Sequence, residues 1–224
     1  MTKQNNMTTA ERLLAGIKES ASRASIARPF EIDMREPQVA EAITYLFSLQ
    51  CAQTGKVADI SPMVVKAIEK AAHWLVNPER VSLKILGTPG TGKTTLLYAI
   101  REFIWRYNQT QPFGRVGLPI HPALMIADSF LRGDTNFTLK NASSIPVLAI
   151  DDVGVEPTEV KYYGSEIRPL TDIILHRSNE NKPTIIVSNL GEPDFLAKYG
   201  ERVFDRLKDM TTILMTGESN RRNK

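Results

Sequence analysis

The sequence predicts an α/β sandwich, a parallel sheet covered by helices on both faces. Three observations carry that expectation. Five short apolar runs, at residues 83–86, 123–127, 147–150, 184–188 and 212–215, are each bounded by Gly, Pro, Asn or Asp. Each run is apolar at successive positions, as expected for strands buried on both faces. Segments with helical spacing alternate with them: one from Thr94 to about Tyr107, another carrying Leu170, Ile173 and Ile174 ahead of Pro183. The expected sheet has five parallel strands with the strand at 83–86 in its middle.

The elements before residue 80 are helical in pattern. Ala10, Leu13, Leu14, Ile17, Ala21 and Ala24 recur at helical spacing over residues 8–25. A second helix is expected over 37–53. A third is expected over 61–75, with Pro62 at its first position, where a missing N–H costs nothing. Asn77-Pro78 ends it. The chain therefore divides into an N-terminal helix and linker (1–35), a helical segment leading into the core (36–79), and the α/β core (80–224).

Composition narrows the function classes. The 224 residues carry 28 Lys+Arg against 25 Asp+Glu, a net charge of +3, with 42% hydrophobic and 24% charged residues. That is globular composition, long enough for a full core without disulfide or zinc. The one cysteine, Cys51, fits a reducing compartment, so a cytoplasmic protein is expected. Residues 1–6 are polar with no apolar run behind them, which argues against a signal peptide. No run of about twenty apolar residues suggests a membrane span. His73, His121, His176 and Cys51 have no metal-ligand spacing, and no nucleophile-elbow pattern is present. Trp74 and Trp105 fall on expected helices and read as core.

The chemistry lies in Gly87-Thr88-Pro89-Gly90-Thr91-Gly92-Lys93-Thr94, followed by Thr95. It matches G-x-x-x-x-G-K-[ST] at every fixed position, between an expected strand and an expected helix. Glycines let the backbone wrap closely and aim N–H groups at phosphates, and the helix start adds the positive end of its dipole. Lys93 is expected to reach the β- and γ-phosphates of ATP, and Thr94 to ligate Mg2+. The apolar run 145–150 ends in Asp151-Asp152. Asp151 is the candidate magnesium ligand through water, and Asp152 the group that polarises the attacking water. Between Lys93 and Asp151 there is room for a helix, one strand (123–127) and another helix. This predicts that the phosphate-loop strand and the acid-bearing strand are neighbours in the sheet though not consecutive.

These motifs together resemble the AAA+ ATPases, and within them the DnaC/IstB-like group of bacterial helicase loaders and transposition helpers. The resemblance covers about residues 80–222 and is carried by the phosphate loop, LAIDDVG at 148–154, KPTIIVSNL at 182–190, YGERVFDRL at 199–207 and LMTGESNR at 214–221. It implies that Asn189 is the sensor residue that helps place the attacking water. It implies that Arg206 is an arginine finger, acting in trans on ATP held by a neighbouring subunit; Arg202 is the alternative. Arg221 is implied as a second sensor contacting nucleotide. The group's second acid is usually glutamate; Asp152 is one methylene shorter, which predicts slow hydrolysis. Glu156 reads either as an assisting acid or as a loop acid. Only three residues follow Arg221, so no full helical lid is expected. The function implied is ATP binding and hydrolysis in loading or remodelling a DNA-bound partner, a replicative helicase first and a transposase as the alternative, with single-stranded DNA favoured. A nucleotide-gated switch with weak hydrolysis and a small-molecule phosphotransferase remain as rival readings.

Overall fold

The computed structural model describes residues 8–10, 12–15, 18, 30–77, 79–111, 116–132, 139–162 and 164–217. The helix expected over 8–25 lies mostly outside the described residues. Two helices lead in: α1 (Glu36–Gln53) and α2 (Pro62–Val76). Then follow β1 (Leu83–Gly87), α3 (Lys93–Thr110), β2 (Ile120–Pro122), α4 (Ala123–Leu131), α5 (Leu139–Ser144) and β3 (Leu148–Val153). A small antiparallel hairpin, β4 (Val160–Tyr162) and β5 (Ser165–Ile167), precedes α6 (Pro169–Asn179) and β6 (Thr184–Ser188). The described chain closes with α7 (Glu192–Tyr199), α8 (Glu201–Lys208) and β7 (Thr211–Met215).

The main sheet has five parallel strands in the order β2-β3-β6-β1-β7. Strand side chains alternate between faces, and each face has its own core. Leu83, Ile85, Ala149, Ile185, Val187 and Ile213 join a core built with α1, α2 and α3. Leu86, Leu148, Ile150 and Ile186 join a second core with Ile126, Ile173, Phe195 and Val203. The result is the expected three-layer sandwich, and the helices of 36–76 contribute to its first core.

Three expectations need correction. The run 123–127 is not a strand. The strand is β2, three residues earlier, and 123–127 opens α4. Pro122 lacks an N–H and suits only an edge strand, whereas Ala, Leu and Met favour helix. Ala123, Ile126 and Ala127 are buried at helical spacing while Leu124 and Met125 are exposed. Second, the phosphate-loop strand β1 and the acid-bearing β3 are not neighbours, because β6 lies between them and pairs with both. β1 is thus one strand in from the edge, beside β7, not at the middle. β6 takes the middle position and is buried at all five residues. Third, Trp74 is core but Trp105 is 55% exposed on the outside of α3.

Candidate nucleotide site

All five strands run the same way, so their C-terminal ends meet at one edge of the sheet. There β1 passes into the phosphate loop, β3 ends in its two acids, and β6 ends at Asn189. This is where open α/β sheets bind ligands. A cavity of about 350 Å³ is lined there by Pro89, Gly90, Gly92, Lys93, Thr94, Thr95, Asp152 and Asn189.

The loop's shape depends on its glycines. Gly87 has φ +144, and a Cβ on it would sit 1.9 Å from the Met215 carbonyl oxygen of β7. Gly92 has φ +96 and lies against the Phe47 ring of α1. The Thr88 hydroxyl donates to the Gly217 carbonyl at 3.0 Å, and Thr91 Oγ1 donates to the Thr88 carbonyl at 2.9 Å, which pins the loop. Lys93 is buried, with its ammonium donating to the carbonyls of Gly87 at 2.8 Å and Thr88 at 2.7 Å.

Thr94, in the cavity wall, meets Asp151 behind it: Thr94 Oγ1 donates to Asp151 Oδ1 at 3.3 Å. Asp151 is buried, and its pKa is raised, chiefly by burial and next by the charge of Asp152. The Asp152 N–H also donates to Asp151 Oδ1, at 3.0 Å. A hydroxyl and a buried carboxylate short of positive charge form a hard-oxygen pair of the kind that suits Mg2+, with phosphates and water completing the shell. Among the described residues no group of three His, Cys, Asp or Glu side chains is arranged to hold a metal by itself.

The β3–β6 register shifts between Ile150 and Val153, so Asp151 and Asp152 sit in a bulge. Asp152 takes φ +53, a conformation costly for a non-glycine residue, and its side chain is exposed toward the cavity. Bulges and backbone strain of this kind re-aim side chains at functional sites. Ser188 secures the neighbouring strand end: its hydroxyl donates to the Val153 carbonyl and accepts from the Leu190 N–H.

Arg206 lies elsewhere. It lines a surface hollow with Ser82, Ser178 and Lys182, and its Nη2 donates to Asn179 Oδ1 at 3.4 Å. Those residues precede β1 and β6, at the opposite edge of the sheet. A five-residue strand spans about 16 Å, so Arg206 is separated from its own chain's phosphate loop by the depth of the sheet; Arg202 lies one turn earlier on α8. Arg221 lies outside the described residues.

The sequence reading missed the other wall of the cavity: Phe47 and Cys51 of α1, then Lys56, Val57 and Asp59. The helix expected over 37–53 contains Phe47 and Cys51, but the sequence pattern could not show that α1 ends over the phosphate loop. Glu156, left between two roles, is 1% exposed and fully engaged within the protein.

The fold is a three-layer α/β sandwich with a phosphate loop at its strand ends, and it resembles that of the AAA+ proteins. No protein-family model matches the chain. In sequence it is similar to replicative helicase loaders of the DnaC type. It is 30% identical to the DnaC of Buchnera aphidicola subsp. Schizaphis graminum over 161 residues, 69% of this chain and 61% of that protein. It is 33% identical to the DnaC of Escherichia coli K12 over 152 residues, 64% of this chain and 58% of that protein. The chain thus spans about three fifths of the length of these relatives. Its fold matches a crystal structure of the DnaC helicase loader (TM-score 0.57, 22% identity, 75% of this chain and 98% of that one). It also matches DnaI (TM-score 0.57, 24% identity, 74% and 88%) and AMPPCP-bound DnaA from Aquifex aeolicus (TM-score 0.53, 19% identity, 73% and 50%). The resemblance to the DnaC-like group read from the motifs is therefore also seen in comparison over about two thirds of the chain. Among the described residues no helix is long and apolar enough to cross a membrane.

Proposed function

We propose that the chain binds ATP with Mg2+ and hydrolyses it in the service of loading a replicative helicase onto DNA. The observation that carries this is the convergence of Lys93, the Thr94–Asp151 pair, Asp152 and Asn189 on one cavity at the strand ends. Lys93 would exchange the carbonyls of Gly87 and Thr88 for the β- and γ-phosphates. Thr94 and Asp151 would hold the magnesium, which supplies charge neutralisation on the phosphates. Asp152 would polarise the attacking water and Asn189 would orient it. Phe47, Cys51 and Val57 offer the less polar wall toward which the base would extend.

Arg206 would act on a neighbour. Its position across the sheet from its own phosphate loop supports a finger supplied in trans and leaves it no role in its own subunit's site. The named relatives are helicase loaders, which favours a helicase over a transposase as partner. A cytoplasmic place and contact with single-stranded DNA follow from that reading.

The test is ATP turnover per subunit against protein concentration, with and without single-stranded DNA. A specific rate that rises with concentration, and again with DNA, is expected. A flat rate indifferent to DNA overturns the shared-site reading and favours a phosphotransferase. One observation favours a second reading, a nucleotide-gated switch: Asp152 is a short acid on a strained backbone. That reading predicts tight ATP binding with almost no turnover at any concentration.

A further inference from the structure

Glu156 is a loop acid, in the segment after β3, but a buried one. Its carboxylate is buried, yet it touches two distant pieces of chain. Oε2 accepts the Gly154 N–H at 2.9 Å. Oε1 accepts the Tyr199 hydroxyl and lies 3.8 Å from Lys198 Nζ. Lys198 also donates to the Glu156 carbonyl. A buried carboxylate is tolerated only when paired and hydrogen-bonded, and this one is both.

The first piece is the loop after β3. It begins with Asp152 at φ +53, turns at Gly154 with φ +113, and places Val155 in the cavity wall. A Cβ at Gly154 would meet the Leu190 side chain at 2.7 Å, so the loop is also wedged beside Asn189. The second piece is the last turn of α7. Gly200, at φ +80, joins it directly to α8, which bears Arg202 and Arg206. Tyr199 is buried, and burial together with Glu156 pushes its hydroxyl pKa up, so it stays a donor across the working pH range.

We propose that Glu156 is a positioning residue, a latch that fixes the Asp152 loop to the α7–α8 pair. Through it, nucleotide in one site sets the pose of the arginines offered to the next. The inference rests on the nucleotide reading above and adds a route by which one subunit's occupancy reaches the adjacent site. The route is short: Asp152, Gly154, Glu156, Tyr199, Gly200 and α8.

The test uses the full chain and two conservative variants, Tyr199→Phe and Glu156→Gln. Amide hydrogen exchange is followed by mass spectrometry with and without a non-hydrolysable ATP analogue and Mg2+. In the wild type we expect the analogue to slow exchange over 87–95, 152–157 and 200–208. In Tyr199→Phe the slowing over 87–95 persists and that over 200–208 is lost. In turnover assays both variants lose on the order of ten- to a hundred-fold in kcat, with analogue affinity held within about two-fold of wild type. Equal responses over 200–208 in wild type and Tyr199→Phe overturn the latch, as does a parallel fall of affinity and kcat, the mark of plain structural damage. No response over 87–95 in the wild type overturns the nucleotide reading itself, and the latch with it. Absent turnover alongside intact exchange responses overturns only hydrolysis.

Discussion

Lys93 carries a buried charge that its own loop satisfies. Its ammonium is kept over the loop by two of the loop's own carbonyls. Charge-assisted hydrogen bonds are each worth about 1.5–3 kcal/mol. Lys93→Ala should therefore weaken binding of a fluorescent ATP analogue by at least ten- to a hundred-fold, while the far-ultraviolet dichroism of the fold is retained. Arg177 is the structural counterpart. It is fully buried, and burial, only partly offset by the charge of Glu180, lowers its pKa to about 10. Its guanidinium donates to Thr184 Oγ1 and to the carbonyls of Ala142, Ile145 and Pro183 at 2.6–2.9 Å. It ties α5, the entry to β3 and the start of β6 together. Arg177→Met should cost about 3–4 kcal/mol in urea unfolding, because several buried acceptors lose their donor at once. Both residues were in plain view in the sequence. The motif singled out Lys93 as a candidate for the site, whereas nothing in the sequence singled out Arg177, because its acceptors come from residues up to 35 positions away.

At the scale of elements, the join between β1 and β7 decides whether the phosphate loop can form. Gly87→Ala would drive a methyl group into the Met215 carbonyl. Backbone cannot retreat as a flexible side chain can, so a loss of about 3 kcal/mol or more, or failure to express soluble protein, is expected. The union of α1 and α2 is tested by pH. The Asn77 amide, with His73, holds the Glu36 carboxyl below the usual carboxylate range. A depressed folded-state pKa gives stability that is present above the unfolded value and is lost as pH falls through the folded one. Glu36→Gln should therefore melt below the wild type at neutral pH, and the gap should close in acid. The pattern that revealed most elements failed at 123–127, because a five-residue apolar run fits strand or helix equally well. Pro122 and the placement of Ala123 and Ile126 against the second core decided for helix. The β4–β5 hairpin had no apolar run to announce it.

At the scale of the molecule, the parallel sheet separates two chemistries. The phosphate loop and its acids occupy one edge; Arg206 occupies the other. A subunit with Lys93→Ala keeps its arginines, and one with Arg206→Ala keeps its cavity. Each variant alone should be inactive in ATP turnover, and an equimolar mixture should recover a measurable fraction of wild-type activity. A mixture as inactive as its parts would remove Arg206 from the site altogether.

The sequence by itself determined the class of fold, the phosphate loop, the acids at 151 and 152 and the strand that ends at Asn189. Each of these rests on local spacing and backbone preference, which neighbouring residues in the chain carry. Only the tertiary structure decided that β6 separates β1 from β3, that α1 supplies Phe47 and Cys51 to the cavity, and that Glu156 is buried against Tyr199. Those facts depend on which distant surfaces exclude water from one another. That is a property of the assembled layers, and no window of sequence contains it.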